Sequence, residues 1–372
     1  MGISDYCTQM RIIDSAGQLR TFRKEDDLDM MLAVQCNLGL FGIIYDMQLE
    51  VKEKKIAHVE DSFQYNADLF YDAKRLKELV TTTDSVEIFH FPFNSVGWID
   101  AAEQMTRLIG TNQTLTRDEW NPKEDQLYIR KIQFHEPEEV KDKELVGDSY
   151  YNAMNIRTWL ESHCVGIFDD FVITIPQEIT PLALKATHNF LRETTEGVRY
   201  QPLVNAIHYR PNIDKYSMQD MEVAINAKGD FSNVTKATQI IIELLRQEAE
   251  QARFPVNMVM EMRWMKYSEA YLCPAIVGSP KEGGSGHVFY IEILSYSHTP
   301  HWRDFANKVA QHLMKIPGVM FHWGKEWEYV DGSAKHIQKV IYLLVMRRAC
   351  QNSYAIHIKN TSTFSFILEH NT

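Results

Sequence analysis

Two periods run through the chain. "PVNMVMEMRWMKY" alternates as a strand should, and "GHVFYIEILSY" follows as another strand. In "NVTKATQIIIELLRQEAEQA" and "TPHWRDFANKVAQHLMKI" apolar residues recur at helical spacing with charges opposite. Ser232 or Asn233 is expected to cap the first helix, and Thr299-Pro300 to form the N-cap and N1 pair of the second. Residues 8 to 52 read as a small α/β unit: a strand "QMRIID", the turn "SAGQ", a short strand "LRTF", a helix over "DLDMMLAVQC" and, after "NLGLFG", a strand "IIYDMQLEV". The character changes at "KEKKIAHVED". Beyond it "SVEIFHFPFN", "EDQLYIRKIQFHEPEE" and "DDFVITIPQE" are strand candidates, and "KEGGSG" is a hairpin-like loop. Strand-helix-strand units joined by long loops predict an α+β fold, an antiparallel sheet covered by helices.

Composition narrows the function. With 372 residues, 45% of them hydrophobic and 11% aromatic, the chain can bury a sizeable core in two or three domains. Its net charge of −11 opposes binding to polyanions, so nucleic acid is excluded as a partner. Cys7, Cys36, Cys164, Cys273 and Cys350 are far apart, odd in number and without a CxxC pair, which fits neither a disulfide framework nor a zinc site; no metal is expected. "MGISDYCTQM" lacks an apolar signal core, and "VIYLLVM" is far too short to span a bilayer. Gly2 opens like a myristoylation site, but Tyr6 stands where that motif needs Ser or Thr. Sequons at Asn112, Asn233 and Asn360 carry little weight without a signal peptide.

Three stretches could carry chemistry. Glu261 and Arg263, two apart on a strand, share one face, with Met260, Met262 and Trp264 on the other. Arg offers a rigid fork of donors to a hydroxyl or developing oxyanion, and a neighbouring acid can orient it; the plainer reading is an ion pair on a solvated face. "FHWGKEW" sets His322 and Lys325 around Gly324, directly after a helix. Lys325 could stand near developing negative charge, or the stretch could be a tryptophan-anchored loop with Lys325 paired to Glu326 or Glu328. "NLGLFGII" holds a Gly-x-x-Gly turn that lets a ligand approach the main chain, or merely eases a tight corner. "HFPF" at His90 to Phe93 and "HYRP" at His208 to Pro211 could line an aromatic pocket, though single histidines on strands are more often core or edge residues. Phosphate-loop, zincin and G-x-S-x-G patterns are absent, so ATP hydrolysis, metalloproteolysis and serine hydrolysis have no support.

Together "DSAGQLRTF…AVQCNLGLFGIIYDMQLEV", "FHFPF", "FPVNMVMEMRWMKYSEAYLCPA" and "FHWGKEW" resemble the aldonolactone oxidoreductases, flavoproteins of the vanillyl-alcohol-oxidase type that include L-gulonolactone and D-arabinono-1,4-lactone oxidases, with their alditol oxidase relatives. The resemblance runs with gaps over most of the chain, and the last two stretches are its specific part. It implies an FAD cofactor, with Glu261, Arg263, His322 and Lys325 as catalytic residues and main chain at Gly39, Gly42, Ile43 and Ile44 against the flavin. The substrate would be a sugar lactone or polyol whose CH–OH is oxidised, the electrons passing to oxygen or another acceptor. The implied layout is the C-terminal portion of a two-subdomain FAD-binding domain over 1–55, a substrate domain with a large antiparallel sheet over 56–345, and a segment over 346–372 packing back towards the flavin domain.

The family's pyrophosphate loop, flavin-linking histidine and glycine-rich stretch would precede Met1, and "IKNTSTFSFILEHN" keeps only Thr363-Phe364 of its closing motif. The expectation is thus a short or truncated flavoenzyme. Its rivals are a non-catalytic remnant that binds a polyol or a protein, and an unrelated binding protein. Cytoplasmic or peripheral membrane location fits the sequence, membrane association being known among relatives although the chain shows no anchor.

Overall fold

The alternating pattern near the N-terminus folds into three strands. β1 (Cys7–Ile13) pairs antiparallel with β2 (Leu19–Arg23) on one side and β3 (Ile43–Leu49) on the other. α1 (Leu28–Val34) starts where the Asp27 carboxylate accepts the Met30 N–H, and it lays Met31 and Val34 over Cys7, Met10 and Ile12. The corner before β3 needs its glycine: at Gly42, φ is +127° and a Cβ would lie 2.1 Å from the Ile13 carbonyl oxygen. β3 is an edge strand of unusual character. Ile43 is 73% exposed, and Ile44, Tyr45, Met47 and Leu49 are exposed as well.

The chain was obtained as a computed structural model, which describes residues 2–96, 120–146, 180–195, 197–207, 218–280, 284–340, 354–358 and 366–370. Its centre is an eight-stranded antiparallel sheet. β4 (Ile56–Tyr65), β5 (Ser85–His90), β6 (Gln126–His135), β7 (Gly197–Pro202), β8 (Met218–Asn226), β9 (Met260–Lys266), β10 (His287–Tyr296) and β11 (Val319–Phe321) lie in the order β11-β8-β10-β9-β5-β6-β4-β7. Four of these strands, β5, β6, β9 and β10, match strand candidates read in the sequence, and β4, β7, β8 and β11 extend the sheet beyond them. The strand expected at "DDFVITIPQE" and the "HYRP" stretch lie outside the described residues. β12 (Tyr354–Ile358) and β13 (Phe366–His370) pair as a separate ribbon.

One face of the large sheet is apolar. Met221, Val223 and Ile225 of β8, Met260 and Met262 of β9 and Ile291 and Ile293 of β10 share a buried core with α2 (Asn66–Leu69), α3 (Ala73–Thr81), α4 (Thr180–Thr195), α6 (Ser232–Ala249) and α7 (Trp302–Leu313). A short α5 (Leu203–Ile207) follows β7.

Two expected caps shift. Phe231 in the left-handed region, not Ser232 or Asn233, precedes α6, and Asn233 is buried with its amide donating to the carbonyls of Asn226 and Pro317. Asn233 is therefore no glycan acceptor. Likewise His301, not Thr299, stands at the start of α7, because Thr299 spends its hydroxyl on the Tyr296 carbonyl.

"HFPF" is held by a buried carboxylate. Asp125 accepts from His90 Nε2 at 2.9 Å, the Phe93 and Ser95 N–H groups at 3.2 and 2.9 Å, the Ser95 hydroxyl at 2.6 Å and Trp120 Nε1 at 3.1 Å. His90 is thus a core residue. Asp125→Ala strands all these donors, an expected loss of about 3–5 kcal/mol, read as a lowered midpoint of urea unfolding. An unchanged midpoint would mean that the knot is dispensable.

Candidate active site

The second face of the sheet is charged, and strand register explains how. Residues paired directly across strands share a face. One row runs from His322, whose N–H donates to the Glu222 carbonyl, through Glu222, Glu292 and Glu261 to Phe89. The next row runs Ala224, Tyr290, Arg263, Glu87, Arg130 and Asp61. Asp220, two residues before Glu222, lies on the same face.

Glu261, Arg263, His322 and Lys325 come from two separate segments and meet on this face. The pairing differs from the sequence expectation. Arg263 Nη2 donates to Glu222 at 2.6 Å rather than to Glu261, and its guanidinium lies 5.5 Å from the Tyr290 ring centre. Lys325 Nζ reaches Glu292 at 2.5 Å and Asp220 at 2.7 Å, not Glu326 or Glu328. His322 Nδ1 faces Glu222 Oε2 at 3.6 Å and accepts the Gly324 N–H at 3.3 Å. Glu222 is 1% exposed, yet its Oε2, like Arg263 Nε, has no hydrogen-bond partner among the described residues.

The tryptophans anchor the loop. Trp323 Nε1 donates to the Leu272 carbonyl at 2.5 Å and meets Trp327 edge-on at 5.8 Å. Leu272 belongs to the connection 268–278, which also holds the three-stranded unit: Tyr271 N–H donates to the Leu32 carbonyl, Tyr271 hydroxyl to Asp29, and Ser268 hydroxyl to Asp5. Gly278 closes on Val288, whose side chain shares the face of Tyr290 and Glu292. The small unit is therefore fastened on the charged side of the sheet. Gly39 and Gly42 form the corner leading to Ile43 and Ile44 on its exposed strand.

Burial dominates the electrostatics. It pushes the Glu222 carboxyl up to about 7 despite Arg263, and the Glu261 carboxyl up to about 8, with Glu292 and Glu87 adding to the effect. His322 is pushed down to about 4 by burial and by the charges of Arg263 and Lys325. Burial alone would lower Lys325, but Glu292 and Asp220 outweigh it and hold the ammonium above its ordinary value. Carboxyls poised near neutrality beside a fixed guanidinium can accept or donate a proton at physiological pH.

Sequence reasoning found four residues of this cluster and missed Asp220, Glu222, Glu292 and Glu87. A signal existed. Glu87 and Glu292 each interrupt an apolar run, in "SVEIF" and "FYIEIL", and Asp220 and Glu222 alternate with Met221 and Val223 in "DMEV".

No family model and no curated protein sequence matches the chain. Among solved structures it is similar to a solvent-stable cholesterol oxidase, with TM-score 0.62 and 16% identity over 91% of this chain and 63% of that one. A cholesterol oxidase from B. sterolicum gives TM-score 0.62 and 13% identity over 88% and 59%. The chain has the fold of these oxidases. It covers 63% and 59% of their length. No described helix is long and apolar enough to cross a membrane.

The raised carboxyls have a thermodynamic consequence. Glu222 and Glu261 keep protons in the folded chain that the unfolded chain has released, so their contribution is complete below the ordinary 4.5 and is lost as pH rises through about 7 and about 8. Thermal unfolding is expected to give a Tm that falls between about pH 5 and about pH 9, with Glu261→Gln flattening the upper part. A Gln variant that keeps the wild-type slope would show Glu261 to be ionised throughout.

Proposed function

We propose that this chain forms the substrate side of an FAD-dependent oxidoreductase that oxidises a CH–OH group of a sugar lactone or polyol, of the D-arabinono-1,4-lactone or L-gulonolactone oxidase type. The reading rests above all on the convergence of Glu261, Arg263, His322 and Lys325 on one sheet face, from segments joined by a long stretch of chain. It is supported by the fold shared with oxidases. The sequence resemblance supplies the cofactor.

The residues fit a small hydroxylated ligand. Arg263 Nε is a donor and Glu222 Oε2 an acceptor, both left over after the protein's own hydrogen bonds, and one hydroxyl can satisfy both. Carboxyls and cations spread over β8, β9, β10 and β5 suit a polyhydroxylated molecule; a steroid skeleton laid there would desolvate them without replacing their bonds. Exposed Ile43 and Ile44, with main chain at Gly39 and Gly42, fit the flat apolar side of a flavin. When bound, the flavin supplies the two-electron acceptor. Arg263 holds the substrate oxygen, Glu222 fixes the guanidinium, and Glu261 orients or takes the proton. Lys325, kept charged by Asp220 and Glu292, offsets negative charge that develops during reduction. Oxygen or another acceptor then takes the electrons. The carboxyls near neutrality favour this reading over a module that binds without turnover.

The visible absorbance of the purified chain tests it. Little bound flavin is expected, since a unit of about fifty residues walls only part of a dinucleotide. In a fusion that supplies the rest of the cofactor site, bound FAD should be bleached anaerobically by sugar lactones or polyols and not by sterols; no bleaching with any of them would end the proposal. In that flavin-loaded fusion, Lys325→Met should fold normally and lose on the order of 10²-fold in kcat. Arg263→Lys should also be damaging, because a point charge cannot reproduce a planar fork. An unchanged kcat in Lys325→Met would return "HWGKEW" to a tryptophan-anchored loop.

A further inference from the structure

Three glutamates stand side by side on adjacent strands. Glu222 of β8 is directly paired with Glu292 of β10, and Glu292 with Glu261 of β9, so their side chains rise from the same face at neighbouring-strand spacing, about 5 Å. Three ionised carboxylates in a line would repel one another. The described surroundings do not neutralise them. Facing this row are Asp220 and His322 from β8 and the loop after β11, Lys325 from that loop, Tyr290 and Arg263 from the adjoining row, and Glu87 with Arg130 from β5 and β6. Glu87 and Arg130 form an ion pair with each other; among the other described residues of this face, four carboxyls (Asp220, Glu222, Glu292, Glu261) meet two cations (Lys325, Arg263), an excess of two. Farther along, Asp61 is matched by Arg199 and changes nothing in this balance.

We propose that Glu222, Glu292 and Glu261 act as one proton-sharing ladder that holds two protons in common, accepts the proton of a substrate hydroxyl and returns one to solvent through His322. The exit is visible in the geometry. The unpartnered Oε2 of buried Glu222 faces His322 Nδ1 at 3.6 Å, and the His322 side chain is 34% exposed. The two carboxyls that burial pushes towards neutrality, Glu222 and Glu261, equal the excess in number. Only the source of the proton rests on the oxidase reading. In that step the O–H bond would break and its proton form an O–H bond on a ladder carboxylate, while a bound flavin would supply the two-electron acceptor for the carbon's hydride, leaving C=O. A proton then leaves Glu222 for His322 Nδ1 and water, which restores the ladder.

The test needs neither flavin nor substrate. Infrared spectroscopy of the whole chain follows protonated carboxyl groups from about pH 5 to about pH 9. Two are expected to persist above about pH 6 and to titrate at about 7 and about 8. Glu222→Gln and Glu261→Gln should each remove one step and lower the other. Glu292→Gln should lower both steps, because it removes a like charge from between them. His322→Gln should slow hydrogen–deuterium exchange of the carboxyl protons. Midpoints indifferent to Glu292, or full ionisation below about pH 6, would overturn the ladder. Intact flavin reduction alongside such a failure would sink this inference alone, whereas a titrating ladder in a chain that never reduces flavin would sink the oxidase reading and with it the hydroxyl as proton source.

Discussion

Strand parity governs this molecule. Because an antiparallel strand turns every second side chain to the same side, eight paired strands sort the sequence into an apolar face and a charged one, and a slip of one residue would exchange them. The apolar face has no freedom to move: Val223, Ile225, Ile291 and Met262 are buried under α6 and α7 with the rest of the core. The register they enforce is what brings Glu222, Glu292 and Glu261 into line. The candidate site is in this sense a by-product of packing on its reverse side, and its geometry is as rigid as the core behind it.

Elements with a clean period were legible. β9, β10, α6 and α7 announced themselves, and the shared face of Glu261 and Arg263 followed from spacing alone. β4 and β8 were harder, because "IAHVEDSFQY" and "MQDMEVAIN" carry acids and amides at inward and outward positions alike and lack an apolar surplus. The cap of α6 was misread because Phe231 adopts a left-handed conformation that no local rule assigns to phenylalanine. The partners of Arg263 and Lys325 lay beyond sequence reasoning altogether. Nothing in one strand says which strand will lie beside it, and the order β8-β10-β9 interleaves segments that the chain visits in another order.

Of the readings offered for "HWGKEW", the tryptophan anchor is seen, with Lys325 paired to Asp220 and Glu292 rather than to Glu326 or Glu328. Trp323 does anchor the loop, to the Leu272 carbonyl, and that anchoring is what fixes Lys325 over Glu292 and Asp220. A structural tryptophan and an ion-paired lysine of the charged face are here two parts of one device. The same connection at 268–278 ties the three-stranded unit to the large sheet, so the loop, the charged face and the small unit depend on a single short stretch of chain.

β3 has a consequence of another kind. Its outer edge presents main-chain donors and acceptors with no neighbouring strand among the described residues, flanked by Ile43, Tyr45, Met47 and Leu49 in contact with water. Natural edges are usually blunted by lysine, proline or a covering element, and this one has none of these within Ile43–Leu49. The colloidal behaviour of the chain is therefore set by the seven residues of β3, a template on which any extended polypeptide can continue the sheet.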